Sequence, residues 1–215
     1  MHCPAPLCCK GSAALFALQE EDLLTSFPAF HTYDREGLSA GLRFYRADQL
    51  PPALLDWALA LTGRHMRALY EASPDWGWSD TRKRAELAHP DARYIVATTT
   101  AGAGPAAAAA DPAADPAAPS STGEGQPLAF LQFRFEEEAG DAVLYLYEIQ
   151  VEAAAQGKGL GFFLMRLLEL LAWKSGVSRV MLTVFHANQV AVRLYCKLGF
   201  VPDESSPEQH GEAAT

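Results

Sequence analysis

Positive charge is what this sequence is shortest of. Lys and Arg number 17 against 26 Asp and Glu, a formal net charge of −9 over 215 residues. Such a chain lacks the basic footprint of direct nucleic-acid binders, and the same balance favours a basic peptide or amine as partner. Cysteine is scarce as well. Cys3, Cys8, Cys9 and Cys196 form neither a disulfide framework nor a zinc spacing, which suits a reducing compartment. Cys8-Cys9 could be acylated, but reads more simply as part of a disordered tail. His65 and His186 have no metal-ligand spacing and read as structural or surface residues, so no metal is expected. Uninterrupted apolar runs of membrane-spanning length are missing: Leu160–Lys174 carries Arg166, Glu169 and Lys174 and reads as a buried core helix. Met1–Lys10 has neither an early basic region nor a long apolar stretch, so neither a secretory leader nor a membrane partner is expected. No internal repeat is visible.

What is present suffices for one domain of ordinary size, with 49% hydrophobic residues. Residues 1–19 read as a disordered tail or a frayed helix, and the domain as 20–207. Glu20 to Tyr45 is a wrapping segment with scattered aromatics that ends in a first strand near Leu42–Arg46. Pro51-Pro52 marks the entry to a helix from Ala53, with Leu54, Leu55, Ala58, Leu61, His65 and Leu69 at helical spacing and a break allowed at Gly63. Asp80 can cap a charged helix through about Leu87, followed by a strand at Arg93–Thr98. Residues 99–127 are almost wholly Ala, Gly, Pro, Asp, Ser and Thr, too little apolar surface to offset the entropy of ordering them. They read as a disordered insertion between two strands. Strands at Leu128–Phe135 and Val143–Val151 flank a turn at Glu136–Asp141. After the helix at Leu160–Lys174 come a strand at Arg179–Phe185 and a helix at Asn188–Leu198, closed by Gly199. The residues after Pro202, 208–215 included, form a polar tail.

The chain is organised around Tyr145-Leu146-Tyr147-Glu148-Ile149-Gln150-Val151, a β-branched and aromatic strand, and the run Gln156-Gly157-Lys158-Gly159-Leu160-Gly161 that opens the next helix. A strand, a glycine loop and a helix N-terminus together hold phosphate well. Glycines let the backbone come close, several N–H groups converge, and the helix dipole adds partial positive charge. Gln-x-x-Gly-x-Gly matches neither the dinucleotide fingerprint nor the Walker loop. It does match the pyrophosphate loop of the GNAT acetyltransferases, which bind acetyl-coenzyme A.

Further stretches extend the resemblance: Phe27-Pro28-Ala29-Phe30, Tyr33-Asp34-Arg35, Asp56-Trp57-Ala58, Trp76-Gly77-Trp78, Val180-Met181-Leu182-Thr183-Val184-Phe185 and Ser205-Ser206-Pro207. Together with the strand and loop they resemble the N-alpha-acetyltransferase D (NatD) family of the GNAT superfamily, over roughly residues 27–98 and 128–207. The resemblance implies the α/β GNAT fold, a mixed sheet with helices on both faces and pantetheine in a gap between splayed strands. It implies acetyl transfer from acetyl-coenzyme A to the N-terminal Ser of histones that start Ser-Gly-Arg-Gly, by a monomer of nucleus and cytoplasm without direct nucleic-acid contact. The sequence departs from the family in three places. The insertion at 99–127 is foreign to it, and Gln156-Gly157 stand where NatD members tend to carry basic residues. The sequence also ends soon after Pro207, where the family continues into a final strand. Either this sequence is truncated there, or the fold lacks that strand and the substrate site is partly open.

The amine must be neutral to attack a thioester, and α-amines, with a free pKa of about 8, are the easier case. Glu148 is the candidate base, because a carboxylate in an otherwise apolar strand is costly to bury; the alternative is a solvent-facing Glu148. Strict alternation places Tyr145 and Tyr147 on the pleat opposite Glu148. The resemblance implies a bulge here, puts both tyrosines at the peptide cleft and makes Tyr147 catalytic; cross-strand packing is the alternative. The amides of Gln156, Gly157, Lys158, Gly159, Leu160 and Gly161 are expected to bind pyrophosphate, with Ile149, Gln150 and Val151 beside the coenzyme. Asn188 and Tyr195 match GNAT positions for pantetheine contact and thiolate protonation, with core packing as Tyr195's alternative. Glu136 and Glu138 could bind the substrate arginine or form a solvated acidic turn. Tyr70 and Trp76 match aromatics at the α-amine end, and Thr183 is a peptide-site residue by analogy or a plain strand residue. Two rival functions stand beside this reading: a GNAT enzyme for a lysine side chain or small amine, and an inactive coenzyme-binding adaptor.

Overall fold

The structure, a computed structural model, describes residues 2–4, 22–73, 76–100 and 125–203. The expectations for residues 5–19, most of the insertion at 99–127, Ser205-Ser206-Pro207 and the tail 208–215 fall outside these. The fold is mixed α/β, as expected. Its elements are β1 (His2–Pro4), β2 (Thr32–Arg35), β3 (Leu38–Arg46), α1 (Pro52–Ala72), α2 (Asp80–Leu87), β4 (Arg93–Thr99), β5 (Pro127–Glu138), β6 (Asp141–Val151), α3 (Leu160–Lys174), β7 (Arg179–Leu182) and α4 (Gln189–Leu198). No helix among the described residues is long and apolar enough to cross a membrane.

The contacts divide into two units, and β5 and β6 each contribute to both. The first draws on Glu21–Gln132 and Glu148–Leu164. In it, β2 pairs antiparallel with β3 and β3 with β4, and β4 neighbours β5. Leu54, Ala58 and Leu61 of α1, Leu87 of α2, Tyr94 and Val96 of β4 and Phe130 of β5 form its core cluster. The second gathers the described residues of Phe133–Tyr147 and Met165–Thr215, with β1. There β7 pairs parallel with β6, in register Val143 with Arg179 through Leu146 with Leu182, and antiparallel with β1.

Several elements differ from the sequence reading. The wrapping segment contains a hairpin of β2 and β3, turned by Glu36 (φ 51°) and Gly37 (φ 67°). Glu-Gly is a weaker hairpin signal than Asn-Gly or Asp-Gly. Helix α1 passes Gly63 unbroken. A Cβ at Gly63 would sit 3.4 Å from Trp78, an ordinary contact. Gly63→Ala should therefore stabilise the protein by about 0.5–1 kcal/mol through helix propensity, read as a raised thermal midpoint. Ser79 caps α2 by accepting from the Arg82 amide. Asp80, expected as the cap, instead accepts from Arg67 and Trp78, each at 2.9 Å. Strand β7 ends at Leu182, leaving Thr183–Phe185 outside the pairing. Helix α3 has the expected bounds.

Ala139 (φ 54°) and Gly140 (φ 81°) make the turn between β5 and β6. At the far end of the pair the Glu152 amide donates to the Leu128 carbonyl at 2.7 Å. Between that turn and that bond β6 contains one more residue than β5, yet burial alternates residue by residue from Leu144 to Val151, which puts Tyr145 and Tyr147 on the pleat opposite Glu148, as strict alternation has it.

Candidate active site

The loop before α3 is shaped by two left-handed glycines, Gly157 (φ 72°) and Gly159 (φ 83°). Tyr33, buried on β2, donates its hydroxyl to the Lys158 carbonyl and closes one side of the loop. A Cβ at Gly159 would lie 2.9 Å from that hydroxyl oxygen, so the cradle fits only glycine without adjustment. Gln156 donates its side-chain amide to the Val151 carbonyl at 2.9 Å, tying the loop to the end of β6. The Gln156 amide, expected among the phosphate binders, donates instead to the Glu152 carbonyl at 3.1 Å. The amides that open this 15-residue helix, approached through a glycine loop, suit a diphosphate. These residues fit the phosphate end of a coenzyme.

Glu148 is 6% exposed, which removes the solvent-facing alternative. Its Oε1 accepts from Lys83 Nζ at 2.9 Å and its Oε2 from Gln150 Nε2 at 2.9 Å. Burial raises the Glu148 pKa above its ordinary value, against the opposing Lys83 ammonium and the Gln150 hydrogen bond. Burial alone would lower the pKa of Lys83, but Glu148 and Glu86 overcome it and hold the ammonium well above its ordinary value. Lys83 also donates to Glu86 at 2.7 Å and to the Tyr70 hydroxyl at 3.1 Å. Tyr70 meets Trp76 edge to face at 6.2 Å, and Trp76 is 58% exposed. Of the residues predicted for the amine end, Glu148, Tyr70 and Trp76 thus share one network, through a lysine that the sequence does not single out.

The polar side chains at the end of β6 and just beyond form a ladder toward α1 and α2. Gln150 Oε1 bonds His65 Nδ1 at 2.8 Å, and Glu152 Oε1 accepts from Trp57 Nε1 and Arg64, both at 2.8 Å. Gln150, expected beside the coenzyme, has its side chain engaged in this ladder. Ile149 and Val151 are half-buried in the same strand. The regular two-residue spacing of Glu148, Gln150 and Glu152 is the sequence signal that could have revealed the ladder.

In the second unit, the Tyr147 hydroxyl donates to Glu136 at 2.9 Å, and the Arg134 guanidinium lies 4.0 Å from the Tyr147 ring centre. Burial, then the bond to Glu136, pushes the Tyr147 pKa up to about 12, so the phenol stays protonated at neutral pH. Tyr145 stacks obliquely on Tyr147 at 4.9 Å, and its hydroxyl bonds the Thr183 hydroxyl. Glu138 is exposed two residues beyond Glu136. Tyr145, Tyr147, Glu136 and Thr183 are therefore brought together by their own contacts, with Arg134, which sequence reasoning missed, lying over the Tyr147 ring. Asn188 caps α4 by accepting from the Ala191 amide at 3.2 Å. Tyr195 is buried against Phe200, ring centres 5.7 Å apart, the geometry of its packing alternative. Cys196 is an exposed free thiol. No group of three or more potential metal ligands occurs among the described residues.

A family model described as the acetyltransferase (GNAT) family matches residues 63–200. Among solved structures, a transcriptional regulator from Bacillus halodurans C-125 is similar at 17% identity and a TM-score of 0.50, over 77% of this chain and 96% of that one. A protein described as a possible acetyltransferase from Clostridium difficile 630 is similar at 13% identity and a TM-score of 0.50, over 77% and 92% of the two chains. Likeness at these identities speaks for the fold alone.

Proposed function

The chain belongs to the GNAT acetyltransferase family, whose acetyl donor is acetyl-coenzyme A, and from that premise we propose that it acetylates protein N-termini starting Ser-Gly-Arg-Gly, the start of core histones. Bound at the loop, the coenzyme supplies an activated acetyl thioester. The amides of Gly157–Gly161 receive its diphosphate, and Tyr33 keeps the loop in shape. Glu148, directly or through one water, takes a proton from the substrate α-ammonium; attack of the neutral amine would then form the C–N bond and break the C–S bond, the departing thiolate taking the proton that the nitrogen sheds. Glu136, held by the Tyr147 hydroxyl, and Glu138 receive the substrate arginine. Tyr70 and Trp76 offer aromatic surface to the first residue.

The observation that carries the peptide reading is the carboxylate pair at Glu136 and Glu138, with Glu136 fixed by Tyr147. Its test is a rate comparison among Ser-Gly-Arg-Gly, Ala-starting and Met-starting peptides. The Ser-Gly-Arg-Gly peptide should be strongly preferred, and equal rates on all three would remove the specificity claim. Replacing Glu136 and Glu138 together by Gln should lower kcat/KM for that peptide by about 10- to 100-fold, the worth of a charge-assisted hydrogen bond. The same double variant should leave a peptide with Ala in place of Arg unaffected.

A further inference from the structure

A cation buried among acids and aromatics needs a reason, and for Lys83 the ion pair with Glu86, one turn on in the same helix, is joined by a second with Glu148 of a distant strand. Its ammonium is 6% exposed and has three acceptors: Glu148 at 2.9 Å, Glu86 at 2.7 Å and the Tyr70 hydroxyl at 3.1 Å. It also lies 5.0 Å from the centre of the Tyr70 ring. All three N–H bonds of a lysine ammonium are thereby used, which fixes it in place.

Resting on the reading of Glu148 as base, we propose that Lys83 is the positioning residue that keeps Glu148 ionised and aimed. Each carboxylate oxygen accepts one fixed donor, Lys83 on Oε1 and Gln150 on Oε2, so the carboxylate cannot rotate. Each oxygen keeps a second lone pair for an incoming proton. The charge of Lys83 offsets the burial that otherwise favours a neutral carboxyl group, which could accept nothing. The groups facing Glu148 are Lys83 and Glu86 from α2, Tyr70 from α1 through Lys83, and His65 from α1 through Gln150. Among these Lys83 is the one permanent cation. The bond to Tyr70 ties the same ammonium to the aromatic pair proposed for the substrate's first residue.

The test compares the wild type with Lys83→Gln, Lys83→Arg and Glu148→Gln. In Lys83→Gln, the Glu148 side-chain 13C signal should titrate about one pH unit or more above the wild-type midpoint. The acidic limb of kcat/KM should move up by the same amount, and Lys83→Arg should bring both back toward wild type. A Glu148 midpoint and an acidic limb unmoved in Lys83→Gln would overturn the role of Lys83. Full activity in Glu148→Gln would overturn the base reading instead, and the two failures are separate because the carbon titration needs no turnover. Should Lys83→Gln not fold, the wild type still reports. Its Lys83 15Nζ and Glu148 13C signals should shift with one common midpoint, and a lysine signal indifferent to Glu148 protonation would overturn the proposal.

Discussion

Glu148→Gln should lower kcat by about 10²–10⁴-fold, the usual worth of a positioned general base, and leave acetyl-coenzyme A affinity unchanged. The substitution is nearly isosteric, and Gln retains an oxygen to accept from Lys83. It loses the negative charge that takes the proton. Burial puts the Glu148 pKa above the ordinary carboxylate value, and a base works only when deprotonated. The wild-type kcat/KM should therefore fall tenfold per pH unit below that raised value, at higher pH than an exposed carboxylate would give. In Glu148→Gln this slope should be absent. Steady-state kinetics across acidic to neutral pH, with coenzyme affinity measured separately, checks both statements. Unchanged turnover would remove Glu148 from the mechanism.

Gly159→Ala should weaken acetyl-coenzyme A binding with little change in the chemistry of what does bind. At φ 83° an L-residue is strained by about 1–2 kcal/mol, a factor of about 5–30 in an equilibrium. The added Cβ also meets the Tyr33 hydroxyl, at 2.9 Å, where that hydroxyl holds the Lys158 carbonyl. The loop then relaxes to another shape, and binding must restore the first. The dissociation constant should rise by about that same 5–30-fold factor, while kcat at saturating coenzyme stays near wild type. Gly140, at φ 81° with open space around its missing Cβ and far from the loop in sequence, is the control. Gly140→Ala should strain the β5–β6 turn without altering coenzyme affinity.

The parts of the site written in local pattern are legible in the amino-acid sequence alone. The glycine run announces the loop, and the apolar spacing of Leu160–Lys174 gives α3 to the residue. Glu148 stands out because an acid in a strand of Tyr, Leu, Ile and Val has to be accommodated somehow. What accommodates it is hidden. Lys83 sits in Asp-Thr-Arg-Lys-Arg-Ala-Glu-Leu, a stretch that reads as a solvated helix, and only a partner 65 positions away makes it special. Tyr33 stands out by family resemblance alone, since nothing local says that its hydroxyl reaches a carbonyl 125 residues later. Asp80 misleads for a related reason. Two good cap residues adjoin, and tertiary partners, Arg67 and Trp78, draw Asp80 away and leave the cap to Ser79.

The proposed chemistry rests on the amides after Val151 gripping a diphosphate, and titration calorimetry of the purified protein with acetyl-coenzyme A tests this most directly. It should show saturable one-to-one binding that Gly159→Ala weakens and Glu148→Gln leaves intact. No saturable binding by the wild type, or the same affinity in Gly159→Ala, would contradict it.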